Sequence, residues 1–268
     1  MADGFFAPYA ALIGSRVRAQ LSYRTSFGLD VLASFASGAA EFVEIYAIFH
    51  SVPQLGGLDF AGSVLLFGLA NLGFALGDLL AGQVDSIPTF LRAGTLDVML
   101  VRPLSLLGQL ISTDVSLRRL GRASTGLVAL VAALFIVDVP WTPPRVGLLL
   151  LTPLTGAALF AAIFVLAGAL QFWLLDGSEL TNAFSYGGSY AAGYPAALFS
   201  LPLRLLFTFV IPAAFVGYLP TLAILGLPGP LGVPTWLAWW TPLVAVLFWL
   251  LVLVTWRLGV RHYMGGGG

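Results

Sequence analysis

The sequence predicts an all-α integral membrane protein with six transmembrane helices. Of its 268 residues, 59% are hydrophobic and only 9% are charged, whereas a soluble domain carries about 25% charged residues. The mean hydropathy of the chain is +0.97. A soluble fold of this length could not remove so much apolar surface from water, so we expect the chain to fold in a lipid bilayer.

The predicted spans are six apolar stretches, each close to the roughly 20 residues that a helix needs to cross a bilayer. Tryptophans flank the last stretch on both sides, which is typical of the two membrane–water interfaces, and prolines interrupt the fifth. The six stretches are residues 29–50, 61–82, 122–139, 146–175, 200–225 and 236–258.

These spans are assigned to one transmembrane domain over residues 1–264. Residues 1–28 mix apolar and basic side chains, and we expect an amphipathic helix that lies in the membrane interface. The four glycines at 265–268 are interpreted as a vector-derived remnant and are left out of the fold.

The distribution of arginine predicts the topology of the chain. Eleven of the 12 basic residues, all of them arginines, fall in alternate segments between the predicted spans, and only Arg145 falls on the opposite side. Segments rich in arginine remain in the cytoplasm. We therefore expect both termini, and the loop over residues 83–121, to lie on the cytoplasmic side.

The residue types that are missing exclude several chemistries. The sequence contains no cysteine and two widely separated histidines, His50 and His262, so disulfides and thiolate metal sites are excluded and a metal site is not expected. It also contains no lysine, and a phosphate-binding loop of the Gly-x-x-x-x-Gly-Lys type needs one. We expect no cofactor bound by this chain and no nucleic-acid partner.

The predicted loop at 83–121 has too many regularly spaced apolar residues for a simple linker. Pro88 suits the first turn of a short helix, and Gly94 suits its end. A second helical piece is expected to run to Pro103 and a third from about 105 to 120. Such helices lie on lipid or bind a soluble partner.

The stretch "RAGTLDVMLVRPLSLLGQL" in this loop resembles the cytoplasmic loop of membrane subunits of bacterial ATP-binding-cassette (ABC) transporters of the type-two exporter class. The matching pattern, Gly-x-Leu-Asp-x-x-Leu-x-Arg-Pro, runs from Gly94 to Pro103. Residues 194–226 are similar to the fifth span of the same family, the six-span permeases usually encoded with a second related permease and a separate ATPase. This resemblance implies a protein of the bacterial cytoplasmic (inner) membrane.

The resemblance also implies that the loop holds a coupling helix seated in a cleft of an ABC ATPase. ATP and Mg²⁺ would then be bound by that ATPase, and a second permease, the same or a related chain, would complete the pore. Apolar anchors and charged groups are expected in such an interface. The alternative is that Asp97 and Arg102 only cap and solvate a surface turn. The predicted coupling residues are Phe90, Arg92, Leu96, Asp97, Met99, Arg102 and Pro103.

Three polar residues inside the predicted spans form the predicted substrate pathway. Glu41 and Glu44 lie three residues apart on the first span and hence on one helical face, and Asn71 lies midway along the second. Ionisable groups inside a membrane are costly and are by default functional. The glutamates could attract a cationic substrate, pair with an arginine of a partner subunit, or form structural hydrogen bonds. Asn71 could also join two helices.

Residues 217–238 carry no charge and many prolines and glycines. The resemblance implies short re-entrant helices here, between spans five and six, that close an extracellular gate, for which we select Pro212, Tyr218 and Pro220. Kinked backbone at membrane depth must be buried in protein or line a cavity. The segment ending in "AFSYGGSYAAGYP" at residue 195 is expected to form a re-entrant or interfacial helix or a flexible loop.

These observations predict a non-catalytic permease subunit of an ATP-driven exporter. Its expected substrate is lipophilic or amphipathic, and the two glutamates favour a cationic, drug-like molecule. Two alternatives belong to other classes. One is an ion-coupled secondary transporter, for which inverted repeats would be expected, and the other is an intramembrane lipid-modifying enzyme, which would need clustered His, Asp or Glu side chains.

Overall fold

The structure is a computed structural model that describes residues 3–113, 116–174, 177–229 and 234–266. The described residues are mainly helical and form no β-strand beyond one isolated bridge between Leu55 and Leu58. The predicted all-α class is therefore confirmed.

Twelve α-helices follow one another in the described residues. They are α1 (Asp3–Ser22), α2 (Arg24–Ser51), α3 (Phe60–Ala81), α4 (Ile87–Arg92), α5 (Thr95–Leu100), α6 (Leu106–Thr113), α7 (Arg119–Ile136), α8 (Pro143–Leu174), α9 (Ser178–Gly193), α10 (Leu201–Leu205), α11 (Tyr218–Leu225) and α12 (Thr241–Gly266). Shorter helical turns connect several of them, at Gly82–Ser86, Ala196–Leu198, Leu206–Val210, Ala213–Phe215 and Thr235–Trp240.

Five helices among the described residues are long and apolar enough to cross a membrane: α2, α3, α7, α8 and α12. A sixth span is present if the bent pair Leu201–Val210 and Ala213–Leu225 counts as one. The two members of this pair meet at an angle of 71°. The break coincides with Pro212, which has no backbone N–H to continue a helix.

Helix α3 lies at the centre of the bundle, between α7 and α8. Small residues allow this close approach: a Cβ atom at Gly68 would lie 2.6 Å from the backbone nitrogen of Leu130, and one at Gly126 would lie 2.7 Å from that of Leu72. Glycine at helix contacts is a common packing device inside membranes. The α3–α7 contact therefore depends on backbone-to-backbone packing.

Helices α2 and α12 form the outer layer of the bundle. Helix α2 packs on α7, and α12 packs on α8, where the indole nitrogen of Trp249 donates a hydrogen bond of 2.8 Å to the carbonyl oxygen of Ala158. Much of the apolar surface of α2 and α12 remains exposed. In a membrane this surface faces lipid or another chain.

The bundle has two ends, which we call the turn end (residues 52–59) and the loop end (residues 82–118). Helix α9 extends along α3 between them. At the loop end, the side-chain nitrogen of Gln171 donates a 2.7 Å hydrogen bond to the Thr181 hydroxyl. Midway, the Tyr186 ring contacts that of Phe74, and beyond α9 the Tyr194 hydroxyl reaches Glu44.

The bent pair after α9 forms a hairpin whose turn lies midway along the bundle. Val216, in this turn, lies over Gly73 of α3 and Gly156 of α8. Both arms lead to the turn end: Ala196, just before the first arm, clusters with Leu58, and Leu225 at the end of the second lies against Gly62. The segment predicted as a fifth span interrupted by prolines thus has both of its ends near the turn end.

The predicted loop between spans two and three contains three short helices, α4, α5 and α6. Pro88 occupies the first turn of α4, and Gly94, with φ of +63°, separates α4 from α5. This positive φ favours glycine. The predicted third piece, 105–120, is represented by α6, and its residues 114 and 115 lie outside the described residues.

Helix α1 packs against α6 at the loop end. The Tyr9 ring lies over Gly108, and the Tyr9 hydroxyl accepts a 3.1 Å hydrogen bond from the backbone nitrogen of Ser105. The predicted interfacial helix at 1–28 is divided: α1 ends at Ser22, and α2 begins at Arg24.

Candidate functional site

A polar cluster inside the bundle joins α2, α3 and α7. Glu41 of α2 forms an ion pair with Arg122 of α7, and the side-chain nitrogen of Asn71 of α3 donates a 3.3 Å hydrogen bond to the other carboxylate oxygen. The Arg122 guanidinium lies 4.8 Å from the centre of the Phe74 ring. The pair is largely buried, and each charge is balanced by the other.

A small cavity adjoins this cluster. Its volume is about 20 Å³, which is room for about one water molecule. Among the described residues, the Asn71 side-chain oxygen and the Arg122 Nε atom have no hydrogen-bond partner. Because one is an acceptor and the other a donor, a polar group in the cavity could bind both.

The two glutamates predicted to share a function have different surroundings. Glu41 faces the bundle and is paired, whereas Glu44 is exposed and its carboxylate accepts a 3.4 Å hydrogen bond from the Tyr194 hydroxyl. The expected partner arginine for Glu41 is therefore supplied by the chain itself. Of the two glutamates, Glu44 is the exposed one.

Sequence reasoning missed two parts of this cluster. Arg122 was expected at the very start of the third span and was counted with the cytoplasmic arginines, but it lies one turn inside α7. Residues of α9 and the turn after it, including Tyr190 and Tyr194, line the cavity, although they were expected in an interfacial segment or a loop. The small residues Gly121, Thr125 and Gly126 could have indicated that this part of α7 lies deep in the bundle.

A second ionic cluster lies at the loop end. Arg119 forms a 3.1 Å ion pair with Asp78 and donates a 2.8 Å hydrogen bond to the side-chain oxygen of Gln83. The amide nitrogen of Gln83 donates in turn to the carbonyl oxygen of Ile111, at 2.6 Å. These contacts connect the ends of α3 and α6 to the start of α7 and hold the loop helices on the bundle.

The predicted coupling residues lie on two opposite faces of the α4–α5 hairpin. Leu96 is fully buried, Met99 is also buried, and Phe90 packs partly against the same core. Leu96 and Met99 are therefore covered by the bundle in this structure, and their predicted role as anchors for a partner stays a prediction. Their spacing of three residues places both on the face of α5 that contacts the bundle.

The opposite face of the hairpin is exposed. Its apolar residues are Val98, with 53% of its surface exposed, and Val101, with 83%. The sequence analysis did not select either valine. Their exposure follows once Leu96 and Met99 are assigned to the face of α5 that contacts the core. The predicted charged and motif residues on this face are Arg92, Asp97, Arg102 and Pro103.

The α5 helix is fixed to the bundle by side-chain contacts. The Tyr263 hydroxyl of α12 donates a 2.8 Å hydrogen bond to the Asp97 carboxylate, and the side-chain nitrogen of Gln109 donates one of 2.8 Å to the carbonyl oxygen of Met99. Asp97 is therefore more than a solvated turn residue, since it links α5 to the last helix.

The predicted gate residues are all buried in the described part of the hairpin. Pro212 lies at the bend, and Tyr218 and Pro220 lie in α11. Tyr218 packs with Leu58 and Leu66. Residues 230–233 of the predicted gate segment at 217–238 lie outside the described residues.

The five or six apolar helices that are long enough to cross a bilayer indicate a multi-pass membrane protein. The model of the ABC-2 family of transporter proteins matches residues 35–267, and the chain belongs to this family. It is therefore an ABC-2 type membrane permease. Searches of curated proteins and of solved structures found no match.

Proposed function

We propose that this permease is a subunit of an ATP-driven exporter that couples to a separate ABC ATPase through the exposed face of α4 and α5. The observation that carries this proposal is the combination of an exposed apolar pair, Val98 and Val101, with the packing and hydrogen bonding of α5 to the bundle behind it. The family implies an ABC ATPase partner in general. ATP and Mg²⁺ would be bound by that partner.

The attachment of α5 supports a mechanical role. Leu96 and Met99 belong to the main core, and Asp97 is bonded to α12. A displacement of α5 by a partner bound to its exposed face would therefore be transmitted to the bundle through these contacts. Interfaces of this kind combine a few apolar contacts with a charged rim, and Arg92 and Arg102 supply charges beside the valines.

The chain would form half of the translocation pathway, with a second copy or a related permease as the other half. The exposed apolar surfaces of α2 and α12 offer room for both lipid and such a partner. The proposed substrate is lipophilic or amphipathic. Because Arg122 neutralises Glu41, a preference for cations would depend on Glu44.

The hairpin over 201–225 fits a re-entrant gate. Its bend lies midway along the bundle and both arms lead to the turn end. The bend and the start of the second arm are buried in protein, as kinked backbone at membrane depth requires. The first arm, Leu201–Val210, has no buried residue and would face lipid or a second chain. Helix α9 would then complete the sixth crossing, and the two termini would share the cytoplasmic side.

An ion-coupled secondary transporter is the second candidate function. The buried Glu41–Arg122 pair favours it, because ionisable groups inside a membrane often belong to ion or proton pathways. The two candidate functions differ in whether transport requires an ABC ATPase.

The proposal is tested by purifying the chain from native membranes in mild detergent, identifying the co-purified proteins by mass spectrometry and assaying ATP hydrolysis. We expect a stoichiometric ABC ATPase that is lost when Val98 and Val101 are both replaced by Asp. The matched control is Thr142→Asp, at an exposed position of the turn end, which should retain the ATPase. A lone chain without ATPase activity in several detergents would contradict the proposal and favour the secondary transporter.

A further inference from the structure

An open cleft of about 410 Å³ lies at the loop end, where three parts of the chain meet. One wall is formed by Arg16 of α1 and by Tyr23, the residue that follows α1. A second wall is formed by Asp30 of α2. Ser116 and Arg118, which precede α7, form the third wall. The volume is within the range of small-molecule sites, roughly 300–1,000 Å³.

The walls of this cleft are joined by specific contacts. The side-chain oxygen of Gln20 accepts a 2.9 Å hydrogen bond from the backbone nitrogen of Leu117. Tyr9 fixes the other end of α1 to the start of α6. The cleft is therefore a part of the fold that α1 builds against the rest of the chain.

The charged side chains of the cleft are exposed and make no direct polar contact within the described part of the chain, although Arg118 lies near enough to Asp78 to act on its charge. Neither Arg16 nor Arg118 forms a hydrogen bond or ion pair through its side chain there, and the same is true of the Asp30 carboxylate. Two guanidinium groups from distant parts of the sequence thus line one cavity, which favours an anion between them. Asp30 adds one acceptor for a hydrogen-bond donor on the same ligand.

The position of the cleft indicates where such an anion comes from. It lies beside the first residues of two candidate spans, Arg24 of α2 and Arg119 of α7. The ends of spans lie at the level of the lipid headgroups. Phosphate groups of phospholipids are therefore the anions nearest to Arg16 and Arg118.

We propose that this cleft binds the phosphodiester headgroup of a membrane phospholipid whose terminal group carries a hydrogen-bond donor. Arg16 and Arg118 bind the phosphate, since guanidinium groups form strong, paired hydrogen bonds to its oxygens. Asp30 accepts from the ammonium group of an ethanolamine headgroup or from a hydroxyl of a glycerol headgroup. The family model begins at residue 35, so Arg16, Tyr23 and Asp30 lie outside the matched region.

A lipid in this cleft would connect α1, the start of α2 and the segment that leads into α7. Arg119, next to Arg118, belongs to the ionic cluster that holds the loop helices on the bundle. The bound headgroup would therefore stabilise the loop end, including the surface formed by α4 and α5.

The test uses the full chain in phosphatidylcholine nanodiscs, with and without phosphatidylglycerol or phosphatidylethanolamine, and counts retained lipids by native mass spectrometry. Phosphatidylcholine is the matched lipid because its headgroup has no hydrogen-bond donor. We expect retention of the glycerol and ethanolamine lipids over phosphatidylcholine, and about tenfold weaker retention or more in the double variant Arg16→Gln/Arg118→Gln. Arg18→Gln, on α1 but outside the cleft, is the matched control.

Thermal unfolding of both variants in phosphatidylcholine alone shows whether they fold equally well, and a variant that unfolds early is replaced by the single changes. Equal lipid retention by the folded double variant and the control would overturn the proposal, as would a preference for phosphatidylcholine. If the chain binds soluble glycerol 3-phosphate but retains no lipid, the proposal that the phosphate belongs to a phospholipid is wrong, and the ligand is a free phosphate ester.

Discussion

Glu41 of α2 and Arg122 of α7 form an ion pair inside the bundle, and Asn71 of α3 completes the contact between the three helices. Both charged side chains are largely removed from solvent. A buried pair of this kind is expensive to form but also expensive to break, because the remaining charge has no partner. The pair therefore fixes how α2 is placed on α3 and α7.

Replacing Arg122 with Ala should destabilise the chain by about 3–5 kcal/mol, since it leaves the Glu41 carboxylate buried without its cation. Thermal or denaturant unfolding in detergent measures the loss. Arg257→Ala, at an exposed position of α12, is the control and should change little. The double variant Glu41→Gln/Arg122→Ala should recover part of the loss, and a double variant less stable than Arg122→Ala would contradict this account.

Replacing Gly68 with Ala should destabilise the bundle by about 1–3 kcal/mol, because the new methyl group would meet the backbone of Leu130 at 2.6 Å. Gly187→Ala in α9 is the matched control, since a Cβ atom there meets nothing within 4 Å and alanine favours a helix. The measurement is the unfolding midpoint in detergent. Equal effects of the two changes would show that α3 and α7 are not in backbone contact.

Replacing Tyr263 with Phe should loosen α5 while leaving the fold nearly intact. It removes the hydrogen bond to Asp97, a contact at an exposed site with an expected worth below about 1 kcal/mol. If α5 couples the bundle to an ATPase, the variant should hydrolyse ATP but transport less substrate per ATP.

Replacing Asp97 with Arg should weaken the binding of the ATPase itself. Unchanged ATPase co-purification with Asp97→Arg would argue against coupling through this face.

Replacing Glu44 with Gln should reduce transport of a cationic amphipath with little effect on stability, because Glu44 is exposed and its one hydrogen bond is 3.4 Å long. Glu41→Gln should instead lower stability, since it removes the partner of Arg122. Transport assays in proteoliposomes with a cationic and a neutral substrate separate the two effects. Unchanged cation transport by both variants would remove the preference for cations.

The membrane class and most of the spans follow from the sequence. Apolar stretches of the right length predict α2, α3, α7, α8 and α12 because each of them must satisfy its own backbone hydrogen bonds in lipid. The breaks at Pro88 and Gly94 also followed from local chemistry, since proline suits a first helical turn and a positive φ suits glycine.

The sequence did not reveal which polar residues meet. Glu41 and Glu44 share one helical face, but only Glu41 is close enough to α7 to pair with Arg122. Likewise, an alternating pattern of apolar residues in α5 did not show that Leu96 and Met99 belong to the core while Val98 and Val101 are exposed. Such assignments depend on which neighbour covers each face.

The course of the chain after α8 was also decided by tertiary packing. Helix α9 is rich in glycine, serine and tyrosine, so its hydropathy gives little sign that it extends along α3. The stretch 201–225 is apolar throughout most of its length, yet Pro212 and the fit of Val216 over Gly73 and Gly156 bend it into a hairpin. Length and apolar composition determined that this chain belongs in a membrane. Contacts between residues far apart in the sequence decided its polar clusters, its exposed loop face and its hairpin, because burial and pairing are properties of the assembled bundle.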